Sequence, residues 1–315
     1  MEKKAVMETN KIITGFNTTI LKSYPDDTFD LTVTSPPYDD IRYYHIKEST
    51  TDADVFSEQD FQALAKELFR VTKKGGVVVW VVGDSVNKGS ESGTSFKQAL
   101  YFKEVGFNLH DTMIYEKNTS SFPARRLGSR YTQIFEYMFV LSKGKPKTGN
   151  LIADKENKWA GYTNFGKNTH RGKDGKLKQS ADIKPVPKFS PRNNIWRQDL
   201  DKCSYIAELE QIIIDKKLPL PQSIDDKERN NIWRYVVGKN YNSSDKESHE
   251  HPAIFPEKLA EDHILSWSNE GDIVLDPFVG SGTTCKMAKK HKRNYIGIDI
   301  SKEYCELAEK IIAKY

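Results

Sequence analysis

The chain has 315 residues, with 48 Lys and Arg against 44 Asp and Glu, and 37% of its residues are hydrophobic. That length buries a core as one large domain or two modest ones. With 29% charged residues, a mean hydropathy of -0.66 and no run of 18 or more apolar residues, the composition argues against a membrane protein. Behind Met1-Glu-Lys-Lys there is no apolar segment, so a cytoplasmic protein without a secretory signal is expected. Cys203, Cys285 and Cys305 show no CxxC spacing and cannot all pair, which reads as free thiols in a reducing compartment and offers no metal site. The net charge of +4 is unevenly spread, because residues 144–200 carry 13 basic and 5 acidic groups while the rest is slightly acidic. A basic, Gly-rich stretch of this kind is either a solvated linker or a loop-rich module that neutralises phosphates.

In chain order, Asp30 to Thr34 reads as a short strand ended by Ser35-Pro36-Pro37-Tyr38, since two prolines cannot continue a central ladder. Ser57 is placed to cap a helix with Phe61, Leu64, Ala65, Leu68 and Phe69 on one face, stopped by Gly75-Gly76. Val77 to Val82 is apolar without alternation, as in a strand covered on both faces. A helix from Ser95 to Val105 and strands at Leu109–Tyr115 and Ile134–Leu141 follow, and regular patterning then fails until about Ser248. Beyond it come a helix at Pro256–Leu265, a strand at Ile273–Leu275, the turn Asp276-Pro-Phe-Val-Gly-Ser-Gly-Thr-Thr284 leading into a helix, and a strand at Tyr295–Ile298 ending on Asp299. The final helix places Tyr304, Leu307, Ala308, Ile311 and Ile312 on one face.

Strand, glycine turn, helix, strand and acid form the nucleotide-binding half of a doubly wound fold, in which the acid can hold ribose hydroxyls. Asp299 stands 17 residues after Gly282, and no Lys follows that glycine as a phosphate-cradling loop would require. Only 33 residues follow Gly282, too few to complete a sheet. The remaining strands must come from the N-terminal segment, so the α/β domain is circularly permuted. Its expected parts are 1–143, an inserted basic region at 144–248, and 249–315.

Ser35-Pro36-Pro37-Tyr38 lies at a strand's C-terminal end, where doubly wound folds bind ligands. Two prolines fix the backbone and present carbonyl oxygens rigidly, with a hydroxyl on one side and an aromatic ring on the other. That set suits a planar ring bearing an amine.

Thr34-Ser-Pro-Pro-Tyr38 upstream of Leu275-Asp-Pro-Phe-Val-Gly-Ser-Gly-Thr-Thr284 resembles the amino-group DNA methyltransferases of the β arrangement. His251-Pro-Ala-Ile-Phe-Pro-Glu-Lys-Leu259 and Gly297-Ile-Asp299 resemble two further elements of that family, and the likeness spans roughly 11–143 and 231–315. The resemblance implies a Rossmann-like, S-adenosyl-L-methionine-dependent methyltransferase fold with a target-recognition region inserted at its middle. By it, Ser35, Pro36, Pro37 and Tyr38 are the catalytic set that holds the target base. Asp276, Pro277, Phe278, Gly280, Ser281, Gly282 and Thr283 line the cofactor, Asp299 takes its ribose, and Phe255 and Pro256 pack beside it. Asp299 is a shorter acid than the Glu many relatives carry. The implied reaction is direct attack by an exocyclic amine on a sulfonium methyl, with the base flipped out of the duplex. No cysteine follows a proline, which argues against a cytosine C5 enzyme. Ser before Pro-Pro points in that family to N4 of cytosine, with N6 of adenine as the alternative and an inactive DNA-binding module as a remoter one. The expected partner is double-stranded DNA, with a restriction endonuclease or without one, and the chain acts as monomer or homodimer.

Arg192-Asn-Asn-Ile-Trp-Arg197 recurs as Arg229-Asn-Asn-Ile-Trp-Arg234. In the first copy Arg192, Asn193 and Arg197 are either a packing element or DNA contacts, since Arg and Asn read base edges. His249-Glu250-His251 reads as a turn rather than a metal site, and Asp52, Asp54, Glu58 and Asp60 as a solvated loop and helix start. Asp84, past the Val77–Val82 strand, faces the expected ligand edge as a candidate contact.

Overall fold

Segments far apart in sequence share one sheet in the computed structural model, which describes residues 8–37, 56–117, 133, 135–163, 169–179, 184–192, 194–196, 245 and 255–315. The chain divides into two units, one of 1–150 with 194–315 and one of 151–193.

In the first unit the elements are β1 (Lys11–Thr14), α1 (Asn17–Leu21), β2 (Phe29–Thr34), α2 (Glu58–Val71), β3 (Thr72–Val82), the hairpin β4 (Val86–Asn87) and β5 (Ser90–Glu91), α3 (Thr94–Val105), β6 (Asn108–Glu116) and β7 (Phe135–Ser142). The second unit holds β8 (Lys155–Glu156), β9 (Thr169–Arg171), β10 (Leu177–Gln179) and β11 (Phe189–Ser190). The first unit resumes with β12 (Ile195–Trp196), α4 (Glu257–Trp267), β13 (Ile273–Asp276), α5 (Thr283–Lys290), β14 (Asn294–Asp299) and α6 (Lys302–Ile312).

Among the described residues eight strands form the main sheet in the order β1-β14-β13-β2-β3-β7-β6-β12, and of these only β7 runs against the rest, pairing antiparallel with β3 and β6. The other adjacent pairs are parallel, including the join between the two halves of the chain, where Val274 faces Leu31 and Leu275 faces Thr32. Alternate residues of β3 enter opposite cores. Val77, Val79 and Val81 pack with Leu259 and Ile264 of α4, Cys285 and Met287 of α5 and Ala308 of α6. Val78, Trp80 and Val82 pack with Phe61, Leu64 and Leu68 of α2 and Phe102 of α3. This is the doubly wound α/β fold, and burial on both faces explains why the valine run has no polar alternation.

Several local signals act as read. Ser57 caps α2 in a reciprocal capping box with Asp60, an arrangement contributing about 1 kcal/mol. Asp60 is therefore a cap rather than only a solvated acid. Among the described residues no helix is long and apolar enough to cross a membrane, and Cys285 and Cys305 are free and buried.

Others differ. Gly75 and Gly76 do not stop α2, which ends at Val71, because Thr72 already adopts extended backbone (φ -71°, ψ 131°) and β3 starts there. The two glycines instead permit close approach: a Cβ on Gly76 would lie 2.8 Å from Thr72 Cγ2 and 2.9 Å from the Asp30 carbonyl. On α6, Cys305, Ala308, Ile311 and Ile312 are the buried positions, while Tyr304 and Leu307 are only partly covered. Asp84 is an internal cap. Its buried carboxylate accepts from the Ser95 N–H (2.9 Å), the Ser92 hydroxyl (3.2 Å) and the Ser95 hydroxyl, supplying the N-terminal acceptor that Gly93 lacks. The edge strand β1, which no sequence pattern marks, pairs Lys11–Thr14 with Ile296–Asp299.

Candidate active site

From β2 the chain crosses through α2 on one face to β3, and from β13 it crosses through α5 on the opposite face to β14. β2 and β13 are neighbours, so the two connections diverge between them. Such a switch point leaves a crevice at the carboxyl ends of the strands. The Ser35-Pro36-Pro37 turn leaves β2 there, and the glycine-rich turn leaves β13. Ser35 and Pro37 are half-buried and Pro36 is buried.

Two polar links knit the two motifs, and a third braces the glycine-rich turn itself. Thr34 Oγ1 donates to Asp276 Oδ1 at 2.7 Å, one residue before Ser35. Asp276 Oδ1 also accepts from the Phe278 N–H at 3.1 Å. Thr284 Oγ1 donates to the Val33 carbonyl at 3.2 Å. Burial lifts the Asp276 carboxyl to about 6, against the hydrogen bonds from Thr34 and Phe278 that favour its charged form. On the other flank, the Asn17 amide donates to the Pro277 carbonyl at 3.3 Å, tying α1 to the turn.

The turn itself depends on glycine. Gly280 (φ 48°) and Gly282 (φ 86°) are left-handed, and a Cβ on Gly282 would stand 2.9 Å from the Cβ of Ala308 in α6. Ser281, Gly282 and Thr283 are buried. Asp299 receives the Gly280 N–H on Oδ2 and the Ser301 N–H on Oδ1, both at 2.9 Å, and burial raises its pKa despite them. Its carboxylate thus braces the glycine turn as well as standing at the end of β14. The Phe278 ring is half-buried, edge-on to Phe56 (5.1 Å) and Trp80 (6.2 Å). Phe255 packs on the α4 side of the core, and Pro256 is the N-cap of α4.

A buried charge cluster behind the turn escapes any reading of the sequence pattern. Lys286, three residues into α5 from Thr283 and 1% exposed, pairs with Asp245 (2.7 Å) and with Glu257 (2.5 Å), the residue after Pro256. Its ammonium also lies 5.0 Å from the centre of the Tyr315 ring. Burial opposes the Lys286 charge, yet the two carboxylates outweigh it and its pKa stays above the ordinary lysine range. Nothing in the local pattern marks this lysine as internal, because it stands in one short helix with the half-buried Lys289 and the exposed Lys290.

The first copy of the repeated hexapeptide is split. Arg192 belongs to the 151–193 unit, where its guanidinium grips Asp154 through Nε (2.8 Å) and Nη2 (2.6 Å). In that pairing the Arg192 side chain is 7% exposed. Asn194 donates to the Thr112 carbonyl at 3.0 Å, and Ile195 and Trp196 extend the sheet beside β6. Tyr38, Asn193 and Arg197 lie outside the described residues, as do the second hexapeptide copy, Asp52, Asp54, Cys203 and His249–His251.

The family model for DNA methylases matches residues 29–310. The chain belongs to the DNA methylase family. This methylase is 50% identical over 290 residues to the orphan methyltransferase M.BamHII of Bacillus amyloliquefaciens, covering 92% of this chain and 91% of the relative. It is 24% identical over 311 residues to the type II methyltransferase M.BglII of Bacillus subtilis, covering 96% and 69%. Among solved structures it shares its fold with PvuII DNA methyltransferase, a cytosine-N4-specific enzyme (TM-score 0.54, 18% identity, 98% and 91% covered). It also shares it with a DNA modification methylase from Thermus thermophilus complexed with S-adenosyl-L-methionine, whose assignment is itself provisional (TM-score 0.53, 21% identity, 96% and 93% covered). The methylase is thus a DNA methyltransferase on the Rossmann-like fold that its glycine turn and strand order describe.

Proposed function

We propose that this methylase transfers the methyl group of S-adenosyl-L-methionine to the exocyclic N4 amine of a cytosine flipped out of duplex DNA. The observation that carries the reading is the juxtaposition of Ser35-Pro36-Pro37 with the glycine turn across adjacent strands β2 and β13, joined by the Thr34–Asp276 hydrogen bond. The donor set suits the cofactor: a left-handed glycine turn open to close approach, a carboxylate at the end of the next strand, and the half-buried Phe278 ring. Gly280, Ser281, Gly282 and Thr283 would hold it with Asp276, Pro277 and Phe278, Asp299 would take its ribose hydroxyls, and Phe255 and Pro256 would pack beside it. Bound there, the group supplies an electrophilic sulfonium methyl.

The chain's own work is done on the amine. Its lone pair is delocalised into the base and becomes nucleophilic when acceptors draw the amino hydrogens from the ring plane. The Ser35 hydroxyl and the Pro36 carbonyl provide two acceptors on a backbone stiffened by proline, with Tyr38 as the stacking platform. Removing water and fixing the approach then supply much of the rate, without a covalent enzyme intermediate. The 144–248 region, net basic over 144–200, faces the DNA. The enzyme works in the cytoplasm, alone or beside a restriction endonuclease.

Nucleoside analysis of DNA from cells expressing the methylase is expected to reveal N4-methylcytosine. N6-methyladenine alone would reverse the base assignment. Loss of methyl transfer in Tyr38→Ala and in Gly280→Asp, with a remote surface change harmless, is expected of the assigned site; activity surviving in both rejects it.

A further inference from the structure

Between β8 and the segment that returns to pair with it, residues 157–162 form a turn with two aromatic rings at its surface. Trp159 is 61% exposed and Tyr162 44%. Tryptophan is among the most heavily buried residues on average, so a folded unit that leaves one this open has a use for it. The turn is tightly held. The Asn157 N–H donates to the Lys188 carbonyl (2.9 Å), the Gly161 N–H to Val186 (2.8 Å), the Val186 N–H to Tyr162 (3.1 Å) and the Tyr162 N–H to Trp159 (2.9 Å). The Asn157 side chain adds a bond to the Pro187 carbonyl at 2.8 Å. A backbone fixed this way presents its side chains without a large ordering cost on binding.

Charge identifies the occupant. Residues 151–193 carry ten Lys and Arg against four Asp and Glu, and one of those acids, Asp154, is already occupied by Arg192. Lys155 stands on β8, Lys158 in the turn itself, and Lys184 and Lys188 in the segment that leads into β11 and bonds the turn through Val186. A rigid aromatic tip with lysines in it and on the segments that hold it matches a polyanion with apolar sugar faces between its charges. We propose that the Trp159–Tyr162 turn is a duplex-DNA contact, resting its rings on the sugar-phosphate wall of a groove while the four lysines meet phosphates. The rings are tilted by 51° with centroids 5.7 Å apart, so they form no parallel slot for a base. The contact therefore adds affinity without choosing sequence. This inference rests on DNA being the substrate.

The test uses the full chain, labelled S-adenosyl-L-methionine and unmodified bacterial duplex DNA. Trp159→Ala and Tyr162→Ala are expected to raise the KM for DNA about tenfold, the cost of truncating a buried aromatic contact of about 1.4 kcal/mol, with kcat, cofactor affinity and melting temperature unchanged, and Trp159→Phe to restore most of the loss. Changing Lys158, Lys184 and Lys188 to Gln together should make binding less salt-dependent, by about 0.9 in the log–log slope for each phosphate that is no longer neutralised. A DNA KM within twofold of the wild type in both alanine variants overturns the proposal. Selective loss at some sequences and not others overturns the backbone contact in favour of base reading. Wild-type chain that neither binds nor methylates duplex DNA rejects the methylase reading itself, a result seen before any variant is made.

Discussion

The crevice at the ends of β2 and β13 and the 151–193 unit are built by opposite means. The crevice sits on a sheet buried from both faces, and its polar groups are matched: Thr34 to Asp276 and Thr284 to Val33, all buried, and the half-buried Asp299 to Gly280. The 151–193 unit has strands of two or three residues, a bidentate Arg192–Asp154 pair and turn hydrogen bonds, and it leaves Leu151, Trp159, Tyr162 and Phe189 exposed. Chemistry on a methyl group needs positions fixed to fractions of an ångström, which dense packing provides. A surface that meets DNA needs exposed rings and charges, and backbone bonds suffice to present them. Substitutions should therefore act globally in the first region and locally in the second.

The largest expected effect is at Gly282. Gly282→Val forces a β-branched side chain into φ 86° and drives its Cβ into Ala308, so calorimetry should detect no binding of S-adenosyl-L-methionine and methyl transfer should fall to background. Wild-type cofactor affinity in this variant would show that the turn does not line the site.

Lys286→Met comes next. It leaves the buried Asp245, which keeps Lys314 at 3.5 Å, and the half-buried Glu257 without their shared cation, a loss of about 3 kcal/mol, and thermal melts should drop by roughly 6 °C. A melt unchanged within a degree would mean that the cluster rearranges freely.

Asp276→Asn is subtler, because one amide oxygen can still accept from Thr34 and Phe278. The native pKa of about 6 lies above the ordinary value of 3.8, so the native fold binds this proton more tightly than the unfolded chain does. The stabilisation is complete below about 4 and is lost as pH rises through about 6. Asp276→Asn should thus melt above the wild type at pH 7, with an advantage that fades on acidification to pH 4. An advantage independent of pH would assign it to something other than this carboxyl.

The smallest effect is expected from Arg192→Ala. Asp154 is more than a third exposed, so the pair contributes about 1 kcal/mol, and its loss should speed proteolytic cleavage within 151–193 while the main unfolding transition stays put. A shift of the main transition would erase the contrast between the two regions.

Much of the sheet was legible because its cues are local. The unalternated valines of β3, the Ser57 cap and the strand–glycine–helix–strand–acid series each follow from a few neighbouring residues. The failures share a cause too. Gly75 and Gly76 look like a helix stop until Lys147 is seen pressing on the first and Asp30 and Thr72 on the second, and Asp84 faces the ligand edge in a pattern reading but spends its oxygens on Ser92 and Ser95. β1 is too short to announce itself and exists because β14 offers it an open edge.

By itself the sequence determined the permuted order of the two motifs, the need for the N-terminal strands to complete the sheet, and the concentration of positive charge in the middle of the chain. These are matters of count, spacing and composition. Only the tertiary structure decided that Thr34 meets Asp276 across 242 positions, that Lys286 is an internal cation, and that Arg192 pairs with Asp154. Pairings of that kind depend on which strands and helices become neighbours, and no periodicity along the chain encodes contact between side chains so far apart.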